Sequence, residues 1–66
     1  MNVRINDASL ELPDGSTLSQ AIKTKGVPTE GIATAVNGTV IPAAGRDSHV
    51  LTDGDNIVII KAFYGG

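Results

Sequence analysis

The sequence predicts an α+β fold, a mixed sheet of four to five strands with one main helix packed on one face. Three observations lead there. Residues 1–12 alternate apolar and polar side chains on both sides of a turn, the period-two signature of a half-buried hairpin. Residues 17–26 carry an apolar stripe at helical spacing between a start signal and a stop signal. Ile57-Val58-Ile59-Ile60 is the strongest strand signal in the chain, and it runs almost without a turn into Lys61-Ala62-Phe63-Tyr64-Gly65-Gly66.

In the first strand Met1, Val3 and Ile5 alternate with Asn2, Arg4 and Asn6. Asn6-Asp7-Ala8-Ser9 supplies turn residues, and Leu10-Glu11-Leu12 resumes the alternation. Pro13-Asp14-Gly15 then breaks the ladder, because proline lacks a donor and glycine accepts positive φ. Thr17-Leu18-Ser19-Gln20 fits a capping box, followed by Leu18, Ala21 and Ile22 on one helical face. Lys23 and Lys25 complement the helix's negative end; Gly26 and Val27 form the stop, and Pro28 prevents continuation. A helix of roughly two turns does not persist alone, so it must pack on the sheet.

Ile32–Val36 and Thr39-Val40-Ile41 are strands around Asn37-Gly38, the best two-residue hairpin signal present. Residues 42–49 read as irregular, with Val50 and Leu51 expected to anchor them to the core. Asp53-Gly54-Asp55 turns the chain into the last strand. The order is strand-strand-helix-strand-strand-strand. The first and last strands are the best central neighbours, the last reading as buried on both faces because neither parity is polar. Parallel pairing of those two with a right-handed crossover describes a small β-grasp domain. Residues 1–66 are expected to form that single domain, with a flexible Gly-Gly tail over about 63–66.

Composition removes several function classes. Sixty-six residues bury only about 60% of their unfolded surface, so the core is small. No cysteine means no disulfide, thiol nucleophile or iron–sulfur cluster. A cytoplasmic protein with no signal core and no membrane span is expected. Net charge is −2, the cations Arg4, Lys23, Lys25, Arg46 and Lys61 are scattered, and aromatics number two, a poor basis for nucleic-acid binding. The seven carboxylates read as a solvated surface. His49 stands alone, and a surface or capping role suits it better than catalysis. Asp47, Asp53 and Asp55 lack calcium-loop spacing, so no metal site is expected.

Taken in order, the N-terminal hairpin, Gly15-Ser16-Thr17, Ala35-Val36-Asn37-Gly38, Val40-Ile41-Pro42, Leu51-Thr52-Asp53-Gly54-Asp55 and terminal Gly65-Gly66 resemble the ThiS family. These are ubiquitin-like sulfur carriers of thiamine biosynthesis, related to the MoaD-like carriers. The resemblance implies a carrier rather than an enzyme, with no bound cofactor. Gly66 is then the residue that an ATP-using, ThiF-type adenylating enzyme activates. Sulfur from a persulfide donor replaces the adenylate, and a ThiG-type thiazole synthase consumes the resulting thiocarboxylate. By analogy with ubiquitin's terminal strand, Ile57 and Ile59 face inward. Val58, Ile60 and Ala62 face outward as a partner-binding surface with Phe63 and Tyr64. Some relatives carry an aromatic residue in the loop after the proline, which residues 42–49 lack, and Phe63-Tyr64 is bulkier than is common there. Other readings are carriers feeding molybdopterin, cysteine or tRNA thiolation, a ubiquitin-like modifier forming lysine adducts, or a plain binding module.

The residue types suit that chemistry. An α-carboxyl has a pKa of about 3.3–3.7, so it is ionised at neutral pH and able to attack an α-phosphate. Glycine lacks Cβ, which lets Gly65-Gly66 thread a narrow channel. Four residues span at most about 13 Å, enough to enter a cleft while the domain stays outside. A Gly-Gly pair alone favours an uninvolved end; the whole-chain pattern before it gives it weight. Phe63 and Tyr64 suit end-of-strand packing as well as partner recognition.

Overall fold

The computed structural model describes residues 1–61. Ala62, Phe63, Tyr64, Gly65 and Gly66 lie outside the described residues, as does the tail expected over about 63–66. The elements are β1 (Asn2–Ile5), β2 (Ala8–Glu11), α1 (Leu18–Lys25), β3 (Ile32–Val36), β4 (Thr39–Ile41) and β5 (Asn56–Lys61). They make a five-stranded sheet in the order β2-β1-β5-β3-β4. β1 pairs antiparallel with β2 and parallel with β5, while β3 pairs antiparallel with both β4 and β5. It follows that β2 and β3 are parallel, and the connection carrying α1 crosses over β1 and β5. This is the β-grasp arrangement.

Local chemistry sets the element ends. Asn6 and Asp7 both adopt positive φ (47° and 70°), so two residues suffice to reverse the first hairpin. Ala8 and Ser9, expected in the turn, therefore belong to β2. Asn37 and Gly38 (φ 51° and 85°) close the second hairpin in the same way. At the start of α1 the Gln20 backbone N–H donates to the Thr17 hydroxyl (3.3 Å) and the Thr17 N–H donates to Gln20 Oε1 (2.8 Å). Gly26 ends the helix at φ 82°, with its N–H on the Ile22 and Lys23 carbonyls. Val27 follows with its N–H on the Ile22 carbonyl (3.2 Å) and its side chain against the core.

One core lies between sheet and helix. Val3, Ile5, Ile57, Ile59 and Val36 rise from the central strands against Leu18, Ala21 and Ile22 of α1, with Leu12 and Leu51 closing the ends. Each fully buried aliphatic side chain contributes about 1.5–3 kcal/mol, which is what holds so short a helix in place.

Further expectations require correction. Residues 42–49 are not wholly irregular, because Ala43–Gly45 forms a 3₁₀ turn. Leu51 anchors this stretch but Val50 is exposed, since adjacent residues of an extended segment point to opposite sides. β5 is buried on one face only, because α1 covers only one side of the sheet.

Asp55 departs from the solvated-carboxylate reading. It is buried, and it accepts from the Thr52 backbone N–H (2.8 Å), the Thr52 hydroxyl (2.9 Å) and Asn37 Nδ2 (2.9 Å). Burial pushes its pKa up, but the Thr52 N–H, Asn37 amide and Thr52 hydroxyl, with the nearby His49, together hold it below the ordinary value. A carboxylate depressed in the folded state stabilises above its unfolded pKa. That contribution is lost as pH falls below about 4 toward the folded value. Asp55→Asn should therefore cost about 1–3 kcal/mol at pH 7, and the deficit should shrink as pH falls through the depressed pKa. Denaturant titrations at neutral and acid pH read this directly; a deficit that does not change with pH would refute it.

Candidate functional site

The face of the sheet opposite α1 is built by strand parity. On β5, Ile57 and Ile59 point into the core while Val58 and Ile60 point away, with 38% and 61% of their surface exposed. The expected inward and outward assignment of these four residues holds. Across the ladder Ala35 lies opposite Val58 and Ala33 opposite Ile60, and on the next strand Val40, 71% exposed, lies opposite Ala35. The result is an apolar strip over β5, β3 and β4, with a low alanine floor between Val40 on one side and Val58 and Ile60 on the other. The β1–β2 half of the same face is polar, with Asn2, Arg4, Ser9 and Glu11 exposed. A contiguous apolar patch rimmed by polar side chains is the form a protein-docking surface takes.

Val40, Ala33 and Ala35 are not among the partner-binding residues expected from the sequence. A two-residue Asn37-Gly38 turn fixes the register, so Val36↔Thr39 and Ala35↔Val40 follow from the turn, and with them the alignment of Val40 beside β5. That signal was present in the sequence.

β5 also extends past β1. Its last parallel partner on β1 is Ile5, opposite Ile57, whereas its pairing with β3 continues to Lys61, opposite Ile32. Four further residues at about 3.3 Å each carry the strand some 13 Å beyond β1. Ala62, Phe63, Tyr64, Gly65 and Gly66 continue from there, outside the described residues, so the outward placing of Ala62 and the parts assigned to the other four are sequence expectations alone. The apolar strip and the last described residue, Lys61, share one strand.

The rest of the described surface offers little chemistry of its own. No group of His, Asp and Glu among the described residues is arranged to hold a metal ion. Ser19 donates to Asp47, but no histidine joins them as a base. An open groove between α1 and residues 42–49, lined in part by Ile22, Lys23, Val27 and Asp47, lies on the helix side of the sheet, away from Val58 and Ile60. No helix among the described residues is long and apolar enough to cross a membrane.

Comparison with known proteins agrees with this architecture. The family model described as "ThiS family" matches residues 2–66. The chain is 26% identical over 66 residues to the sulfur carrier protein ThiS of Escherichia coli (strain K12), covering 100% of both chains. A crystal structure of the thiamine biosynthesis protein (ThiS) from Geobacter metallireducens superposes with a TM-score of 0.82 at 22% identity, covering 100% of this chain and 99% of that one. A ubiquitin-like protein from the hyperthermophilic archaeon Caldiarchaeum subterraneum superposes with a TM-score of 0.57 at 18% identity, covering 98% of this chain and 100% of that one. At these identities the two structures speak to the fold.

Proposed function

The chain belongs to the ThiS family, and from that premise we propose that it is a sulfur carrier of thiamine biosynthesis whose working group is the Gly66 carboxylate. What supports this reading most is the family match over residues 2–66, which takes in Gly65-Gly66. The protein is a co-substrate. It presents an acyl group, and its partners supply the catalysis.

A carboxylate resists nucleophiles, so it must be activated first. A Gly66 oxygen attacks the α-phosphorus of ATP in the adenylating partner, the α–β phosphoanhydride breaks and pyrophosphate leaves. The terminal sulfur of a persulfide then adds to the carbonyl carbon and expels AMP, giving an acyl disulfide. A thiol of the partner attacks the sulfur–sulfur bond, forms a disulfide within the partner and releases the Gly66 thiocarboxylate. The two electrons come from the partner, since this chain has no cysteine. Thiazole synthase takes the sulfur into its substrate in place of a carbonyl oxygen, and an oxygen from that carbonyl or from water takes the sulfur's place at Gly66, restoring the carboxylate. Throughout, Val40, Val58 and Ile60 hold the domain on the outside of each partner while Gly65 and Gly66 enter the cleft.

Intact-mass analysis after incubation with the adenylating enzyme, ATP and a persulfide donor tests the reading. Exchange of one oxygen for sulfur, confined to the C-terminal peptide, is expected. Lysine-linked adducts in its place would make the protein a modifier, and an unchanged mass would overturn the carrier role. Threading is tested by Gly65→Val. A β-branched residue restricts φ and fills the channel, so adenylation should slow by about 10- to 100-fold with the melting temperature unchanged. An unaltered rate would refute threading.

A further inference from the structure

We propose that Asn6 and Arg46 are positioning residues for the acyl end, Asn6 standing in for β1 beside the outer half of β5 and Arg46 for β4 beside the β3 residues that pair with that half. The inference rests on the carrier reading and adds to it the residues that aim the tail. β1 ends at Ile5, yet β5 does not lose its neighbour there. The Asn6 side chain continues the ladder: Nδ2 donates to the Ile59 carbonyl (3.2 Å) and the Ile59 N–H donates to Oδ1 (2.9 Å). The Asn6 backbone N–H donates to the Ile57 carbonyl (3.0 Å), so one residue grips β5 at two successive positions of the same edge.

On the far side β4 ends at Ile41, opposite Thr34, so no β4 residue lies opposite Ile32. Arg46 fills that gap. It is 6% exposed, and its guanidinium donates to Thr34 Oγ1 (3.1 Å), the Thr29 carbonyl (3.1 Å) and the Ile32 carbonyl (2.8 Å). Thr34 in turn donates from Oγ1 to the Ile41 carbonyl (3.0 Å), and the Arg46 carbonyl accepts from the Ser19 N–H of α1 (3.2 Å). These acceptors are neutral oxygens, so Arg46 serves as a rigid multi-point donor. The β3 residues it holds, Thr34 and Ile32, are those that pair with Ile59 and Lys61 of β5. The row Asn6–Ile59–Thr34–Arg46 thus spans the sheet where β5 projects. Arg46 also holds the row two pairs further out, at Ile32 opposite Lys61.

A strand tip held on both flanks leaves in one direction, and a tip released on either flank leaves in many. Docking by the sheet face is then unaffected, but a smaller share of docked molecules has Gly66 in line with ATP. The loss falls on kcat for adenylation and leaves KM unchanged. The test uses full-length chains: Asn6→Gly, which keeps the positive φ and removes the amide; Arg46→Met, which keeps the stem and removes the donors; and Arg46→Lys, which restores one donor. Leu10→Ala on β2, away from the exit, is the destabilised control. ATP–pyrophosphate exchange is measured below each variant's melting transition. About a ten-fold fall in kcat at constant KM is expected for Asn6→Gly and Arg46→Met, with partial recovery in Arg46→Lys and none of the loss in Leu10→Ala. In parallel, amide hydrogen exchange at Ile59 and Lys61 should quicken more than at core amides such as Ile22. If Arg46→Met does not fold, Asn6→Gly carries the test alone. A kcat within two-fold of wild type, or the same loss in Leu10→Ala, overturns the assignment. Failure of the wild-type chain to support exchange sinks the carrier reading instead, and the amide measurements then decide whether the two side chains hold the strand.

Discussion

Removing Gly66 is expected to abolish adenylation, by at least a thousand-fold in ATP–pyrophosphate exchange, while leaving the melting temperature where it was. Both halves follow from distance. One residue of extended chain is about 3.3–3.6 Å long, so the deletion withdraws the carboxylate by that amount from the phosphorus it attacks. A misplacement near 1 Å already costs about a hundred-fold in a reaction that depends on in-line approach. Appending a residue after Gly66 displaces the carboxylate equally far the other way, so it should be as damaging. Among the described residues the buried core reaches no further along the chain than Ile59, so stability should be unchanged. Exchange retained within ten-fold of wild type in the deletion would end the carrier reading. A lowered melting temperature would show that the tail belongs to the fold.

The sequence revealed those parts of the molecule that depend on neighbouring residues. Thr17 and Gln20 sit three apart because a helix start has orphan N–H groups at that spacing, and the structure joins them as read. Asn37-Gly38 likewise states both its turn and the register of the strands it joins. What could not be read depends on distant partners. Arg46 looks like any surface cation, and it is buried only because carbonyls at Thr29 and Ile32 and the Thr34 hydroxyl, 12 to 17 residues away, meet its guanidinium. Asn6 reads as a turn residue, which it is; that its amide also serves Ile59, 53 residues on, depends on β5 outrunning β1. The expectation that β5 is buried on both faces went wrong for a simpler reason. Four consecutive apolar residues mean two buried faces only if something covers each, and α1 covers one.

That uncovered side of β5 yields the second large effect. Ile60→Glu should weaken capture by the adenylating enzyme by about 10- to 100-fold, raising KM and leaving kcat unaltered. Ile60 is 61% exposed in the free domain, so replacing it removes no core contact, and the change in folding stability should stay within about 0.5 kcal/mol. Covering such a side chain at an interface is worth about 1.5–3 kcal/mol, or ten-fold in affinity for each 1.4 kcal/mol. A carboxylate among Ala33, Val58 and Ile60's other neighbours adds a desolvation penalty, so Ile60→Ser should fall short of Ile60→Glu. Val40→Glu, at the other edge of the alanine floor, maps how far the docking area extends: a partner that covers the whole strip loses affinity there too. The kinetic signature separates this surface from the tail. The chain lacking Gly66 should still compete with wild type for the enzyme, with an inhibition constant near the wild-type KM, because its sheet face is intact. Adding Ile60→Glu to that shortened chain should remove the competition. If the Gly66 deletion does not compete, binding resides in the tail rather than the strip. If Ile60→Glu competes as well as its parent, the apolar face opposite α1 plays no part in capture.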